Sequence, residues 1–508
     1  MDLAGYRARG ERFCRDLGRA QYRQFAGHQP PGGPAAVERS YGDLFSGDAV
    51  TELRELVARA SGPGDRREQA LLRFAAEGCL VSCARELEAE AHTREQAIEL
   101  EIGGRSLALA DAARSQAVEP DPARRAAIER ARLAAIERTL NPVRAEALEQ
   151  VQSRARELGW PSYLALHEEV SGIDLAATGE ACRVLLDTTA GAYGEALGDV
   201  AQAVLGVEVG ELGHGDLPRL LAGEPTPDTG EGFNTRRLWS SWRETLAGLG
   251  LDPAPPGVRI DLQARRGKSR RAFCAPARVP GEIYVVVSPV GGREDFAALF
   301  HEGGHAQHLA SVDAELDFEH RHLGDNSVTE AFAFLFEHLI DASWWRSAHL
   351  ELTGPDRVGS LERLLMLRRY AAKLLFELEL HERGAGPTGG ARYRTLLSEA
   401  TGIDWPAELW LADLDPSFYC ARYLRAWALE GALVADLRDR FGECWHREQG
   451  VGDRFRELWR DGQRVDAAGV AKRLGAGSLD LAMAAGADSR TAPPPPDAIA
   501  RAASRSRR

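Results

Sequence analysis

With 508 residues, 44% of them hydrophobic, the chain is long enough to bury a large core and to form two lobes. Its 76 acidic residues against 63 Lys and Arg leave a formal charge of −13, which argues for solubility and against general nucleic-acid binding. No run reaches the ~18 apolar residues of a membrane span, and seven scattered cysteines (Cys14, Cys79, Cys83, Cys182, Cys274, Cys420, Cys444) form no disulfide framework. The first dozen residues, Met1 to Arg12, carry no apolar segment of the kind a secretory leader needs. The expectation is a cytoplasmic protein with no membrane or nucleic-acid partner.

Residues 1–205 read as an N-terminal helical region. Cys79 and Cys83 have helical spacing, but no second pair completes a metal site. Apolar residues alternate around Gly103-Gly104 (Ile98, Leu100, Ile102, then Leu107, Leu109), which predicts a small β-hairpin over 97–109. Asp121-Pro122 reads as an N-cap with proline at the first helical position, followed by an apolar face at Ile128, Ala131, Ala135, Ile136 and Leu140. Asn141-Pro142 ends that helix and starts another. The Gly-, Pro- and Asp-rich stretch 206–232 reads as a linker to a catalytic region over 233–486.

Within that region, Gly281 to Pro289 is β-branched and aromatic and predicts a strand whose free edge pairs with an extended peptide. Val290-Gly291-Gly292 turns the chain into a helix with acidic residues near its start, Arg293 to Phe300. That helix carries His301-Glu302-Gly303-Gly304-His305. Histidines at i and i+4 share one helical face and can hold one Zn²⁺, while the intervening glutamate stands beside the metal as a general base. Two adjacent glycines inside a helix cost about 1 kcal/mol each relative to alanine, which predicts close approach of a second helix bringing the third ligand.

Glu330 is the predicted third ligand. It follows the turn and cap residues Gly324-Asp325-Asn326-Ser327 and opens an apolar helix, where a carboxylate is costly to bury unless it is paired or on a metal. Glu337, two turns on, is placed to accept the free N–H of a ligating histidine. His308, one turn beyond His305, is a candidate to face the same cleft. His167-Glu168-Glu169 lacks the second histidine, with Ser171 in its place. After Gly486 the chain turns to Pro493–Pro496 and Arg501, Arg505, Arg507 and Arg508, which reads as a disordered basic tail over 487–508.

The spacing of His301, Glu302, His305, Glu330 and Glu337 resembles that of the thimet-oligopeptidase and oligoendopeptidase F family of zinc peptidases. Asp415 to Trp427 is similar to that family's tyrosine-bearing loop and helix, and Trp459 to Asp466 to its closing turn. The Arg422-Tyr423 pair also resembles the corresponding dipeptide of the more distant angiotensin-converting enzymes. The resemblance spans residues 120–485. It implies a mostly α-helical zincin-type fold, with two helical lobes around a substrate channel and a small β-sheet beside the active-site helix.

The resemblance further implies one Zn²⁺ per chain on His301, His305 and Glu330, and hydrolysis of short peptides by a zinc-activated water. Glu302 would be the general base, Tyr423 and Tyr419 the oxyanion donors, and Glu337 a partner of the ligands. Arg422, His308 and Tyr284 are the expected substrate contacts. The chain departs from the family at Ala426, where a third tyrosine is expected, at Ala333, where serine is expected, and at Leu414 to Phe418, which replaces a Gly-rich loop with a histidine. Two alternatives stay open: a metal-dependent hydrolase of a small amide metabolite, and a non-catalytic peptide-binding relative.

Overall fold

A computed structural model of the chain describes residues 1–59, 66–223, 232–352, 356–384, 386 and 388–486. The predicted tail at 487–508 lies outside the described residues. Among the described residues the fold is mostly α-helical with two small sheets. No helix among the described residues is long and apolar enough to cross a membrane.

The chain packs as two compact units, each built from separate stretches. The first takes the described residues of Met1–Gly42, Thr226–Asp356 and Arg425–Arg508; the second takes those of Asp43–Pro225 and Arg357–Leu424. These units group stretches other than the contiguous 1–205 and 233–486 expected from the sequence. An apolar stripe shows that a helix is buried but not which partner buries it, so the long-range assembly was hidden. The stretch expected as a linker also holds structure of its own, including the helix Leu217–Ala222, with 224–231 outside the described residues.

The second unit shows the predicted hairpin. Strands β1 (Glu99–Ile102) and β2 (Arg105–Ala108) pair antiparallel, and Gly103 and Gly104 adopt φ of 58° and 78°. Two successive positive φ values make the type I′ turn that matches strand twist, and glycine takes them at no steric cost. The Asp121 carboxylate caps the helix Pro122–Ala135 by accepting from the Ala123 N–H at 2.9 Å. A π turn at Ile136–Leu140 then leads into the helix Asn141–Glu157. The long helices Leu175–Leu205 and Arg357–Arg383 pack on each other, with Leu197, Val200, Leu361, Leu365, Phe376 and Leu397 in their shared core.

The first unit is built on a three-stranded sheet in the order β3 (Val258–Asp261), β5 (Glu282–Val286), β4 (Phe273–Arg278). Its central strand β5 runs parallel to β3 and antiparallel to β4. The expected free edge on β5 is therefore corrected: β5 is paired on both sides, and among the described residues β4 and β3 are the edges. Phe-Cys-Ala-Pro-Ala-Arg gives β4 little strand signal, because proline and alanine are poor strand formers.

The N-terminal helix Leu3–Phe25 covers one face of this sheet. Tyr22 stacks on Tyr284 with ring centroids 4.0 Å apart, Arg19 forks onto the Glu282 carboxylate with both bonds at 2.7 Å, and a Cβ on Gly18 would lie 2.9 Å from the Ala277 Cα. Side chains alternate along a strand, so Ile283 and Val285, both fully buried, point to the opposite face. The helix Arg293–Ala310 packs against β4 and β5.

Several buried histidines carry no charge in the fold. Burial pushes His167 down to about 4, against the pull of Glu77, and pushes His381 and His446 down to about 3. An unfolded histidine titrates near 6.5, so below that pH the unfolded chain binds protons that the folded chain does not, and stability falls with acidification. Each such group removes about 1.4 kcal/mol of stability per pH unit. The urea midpoint is expected to drop between pH 7 and 5.5, above the range where ordinary carboxylates protonate. A midpoint constant over that range would contradict these assignments.

Candidate metal centre

Two helices of the first unit supply the site. The helix Arg293–Ala310 starts after Gly292, whose φ of 110° suits glycine alone, and Asp295 ties down the preceding turn by accepting from the Val290 and Gly291 N–H groups at 2.8 and 2.6 Å. The helix Asn326–Glu337 is capped by Asp325, which accepts from Ser327 N–H at 3.0 Å and from Ala467 N–H at 3.1 Å. Burial would raise the Asp325 carboxyl; Arg425 and those two amides outweigh it and bring it down to about 2.

The paired glycines let these helices meet. A Cβ on Gly304 would lie 2.8 Å from the Ala333 Cα of the second helix, and one on Gly303 would lie 2.6 Å from the Trp242 ring. The close approach predicted from the sequence is thus present on one side as helix backbone and on the other as an indole. It brings Glu330, only 5% exposed, level with the two histidines.

Glu330 Oε2 lies 3.4 Å from His301 Nε2 and 3.5 Å from His305 Nε2. A tetrahedral Zn²⁺ with N and O ligands at ordinary bond lengths separates them by about 3.4 Å. The donor set, two imidazoles and one carboxylate with ligand atoms all within 4.8 Å of one another, fits a catalytic zinc that keeps a fourth position open. The far side of each ring is also held. His301 Nδ1 lies 2.8 Å from Glu337 Oε2, and His305 Nδ1 lies 2.9 Å from Thr329 Oγ1. An Nδ1–H donated outward leaves the Nε2 lone pair facing inward.

The electrostatics suit a cation. Burial would raise the Glu330 carboxyl, but His305 and His301 hold it well below the usual carboxylate range. Burial would lower the His301 imidazole, but Glu330 and Glu337 hold it well above its usual value. Glu302 follows His301 on the helix, which packs against β4 and β5; burial pushes the Cys274 thiol of β4 well up, and the Glu302 charge adds to that push. Cys274 pairs with Val285 and so shares its face of the sheet.

The remaining predicted residues have other neighbours. Tyr419 and Tyr423 lie in the first turns of the helix Tyr419–Phe441, with Tyr423 edge-on to both Tyr419 (5.0 Å) and Tyr370 (5.4 Å). Arg422 is buried in an ion pair with Glu77 at 2.5 Å. His308 is fully buried 5.1 Å from the Phe332 ring, and burial pushes it down to about 3. Tyr284 stacks on Tyr22 and donates its O–H to Glu282 at 2.8 Å.

Thr329 escaped the sequence reading because a threonine in the first turn of a helix looks like an ordinary capping residue. Only the arrival of His305 gives it a second role. Thr329→Val is expected to weaken zinc binding by roughly 10- to 100-fold, and Thr329→Ser to preserve it. Competition against a chromophoric chelator measures this, and equal affinity for the valine variant would remove Thr329 from the site.

No protein-family model and no curated protein matches the chain. Solved structures do. A structure from Bacillus anthracis strain Ames assigned as an oligoendopeptidase F is 14% identical, covers 92% of this chain and 87% of its own, and gives a TM-score of 0.65. PZ peptidase A, solved with an inhibitor, is 13% identical with 96% and 97% coverage and a TM-score of 0.67. A structure from Chlamydophila abortus assigned as a peptidase is 13% identical with 96% and 89% coverage and a TM-score of 0.62. The chain therefore shares the mostly α-helical fold of these structures, which is the fold that the resemblance implied.

Proposed function

We propose that this chain is a zinc-dependent oligopeptidase that hydrolyses peptide bonds in short peptides. The observation that carries the reading is the convergence of His301 Nε2 and His305 Nε2 on one Glu330 oxygen at 3.4 and 3.5 Å, with Glu302 next along the helix. His301, His305 and Glu330 would hold the metal. When bound there, Zn²⁺ supplies Lewis acidity and a water of lowered pKa.

The chain's own residues do the rest. Glu302 takes the proton of the attacking water and returns it to the leaving amine. An extended peptide pairing with the outer edge of β4 would run beside the helix that carries Glu302, which packs on that strand. Pro276, which has no N–H to offer, is tolerated on such an edge. The phenols of Tyr423 and Tyr419 are the proposed donors to the carbonyl oxygen as it gains charge, a role that rests on the sequence resemblance. The fold neighbours, described as oligoendopeptidase F, PZ peptidase A and a peptidase, favour a peptide over a small amide.

Metal removal tests this reading. Dialysis against a chelator should abolish peptide cleavage, and one equivalent of Zn²⁺ should restore it. Cleavage that persists in fully stripped protein would refute the metal-dependent assignment.

A further inference from the structure

One face of the helix Arg357–Arg383 is polar where a core helix should be apolar. Arg369, Lys373, Glu377 and His381 recur at four-residue spacing, so they form a stripe. Lys373, Glu377 and His381 are buried, Glu377 completely. Every member of the stripe grips the same short segment, residues 413–420.

Arg369 pairs with Asp413, and Lys373 Nζ lies 3.0 Å from Asp415 Oδ2 and 3.6 Å from Asp413 Oδ1. Glu377 accepts from the Asp415 N–H at 2.8 Å through one oxygen and from the Cys420 thiol at 3.2 Å through the other. His381 packs its ring 5.1 Å from Phe418. From outside the stripe, the Tyr163 hydroxyl accepts from the Ser417 N–H at 2.9 Å. Burial pushes the Glu377 carboxyl up to about 8, against Lys373. A carboxyl group so placed is costly to bury and is retained here around a single turn.

That turn is strained. Ser417 and Phe418 adopt φ of 59° and 51°, two successive side-chain-bearing residues in the left-handed region. Such conformations persist only where the surroundings over-determine them, and they cluster at functional segments. The next residue is Tyr419, and Tyr423 follows one turn later. Tyr370, on the gripping helix, meets the Tyr423 ring.

We propose that the stripe Arg369-Lys373-Glu377-His381 is a positioning device: it locks the Asp415–Phe418 turn in its strained form and so fixes where Tyr419 and Tyr423 present their hydroxyls. The inference rests on the role assigned to those tyrosines in the proposed function. The stripe acts through the turn and touches no substrate.

Two readouts on the full chain test it. In Glu377→Leu, amide hydrogen exchange over residues 413–424 should quicken roughly tenfold, while the helix Leu175–Leu205 keeps its protection. With a peptide substrate, kcat should fall roughly 10- to 100-fold, the cost of misplacing a group by about 1 Å, with KM near the wild-type value. Glu377→Gln, whose amide oxygen can still accept from Asp415 N–H, should restore both.

Lys373→Met covers the case in which the leucine variant does not fold. It keeps the stem and removes the ammonium that pairs with Asp415 and Asp413, so it should quicken exchange over the same residues and lower kcat. Unchanged exchange in these variants overturns the proposal, and so does faster exchange with unchanged kcat. A wild type that cleaves no peptide refutes the proposed function instead, and the exchange result then decides alone whether the stripe holds the turn.

Discussion

Glu302→Gln is expected to bind zinc as the wild type does and to lose roughly 10²- to 10⁴-fold in peptide cleavage. Glutamine keeps the shape of the side chain and removes its ability to take a proton. The three proposed ligand atoms come from His301, His305 and Glu330, and the outward contacts of the two rings run to Glu337 and Thr329, so none of the holding geometry passes through residue 302. The loss corresponds to about 3–5 kcal/mol of transition-state stabilisation. It should appear in kcat, because the missing interaction is made in the transition state. Wild-type turnover in this variant would show that Glu302 is not the base.

Glu330→Ala should fail differently. It removes the one anionic group of the proposed ligand set, and the half-buried pair of imidazoles that remains is a much poorer cation site. The loss of zinc affinity should exceed the 10- to 100-fold typical of losing an outer partner of a ligand. Bound zinc, followed by equilibrium dialysis and elemental analysis, should fall from one per chain to well below it, and cleavage should fall in parallel. The two variants together separate proton transfer from metal binding: one keeps zinc without activity, the other loses both. A Glu330→Ala protein that still held one zinc per chain would move the third ligand elsewhere.

The candidate site was legible in the sequence where chemistry fixes spacing. Histidines at i and i+4 must share a helical face, and Gly303-Gly304 pointed to a close neighbour, which proved to be Ala333 on one side and Trp242 on the other. Asp325 and Asp121 announced their helices because a cap works through local backbone amides. The hairpin turn was legible for the same reason, since only its two glycines take positive φ freely.

What stayed hidden depends on distant parts of the chain. Phe273–Arg278 becomes an edge strand because β5 lies beside it, and its own composition says little. The N-terminal helix belongs with the sheet through Arg19, Tyr22 and Gly18, none of which names its partner in advance. The burial of Lys373 and Glu377 cannot be read from the sequence, because a buried ion-bearing stripe and an exposed one have the same spacing. His308 and Arg422 had the residue types of substrate contacts, yet one is enclosed against Phe332 and the other is paired with Glu77.

The most direct test of the central claim is mass spectrometry of a mixed-length peptide library incubated with zinc-loaded protein, with Glu302→Gln as the paired control. The account predicts that the wild type alone cleaves short peptides, with cut sites that define its preference and length limit. Intact peptides from a wild type that holds one zinc per chain would contradict it, and would point to a small-amide hydrolase or a binding protein built on this fold.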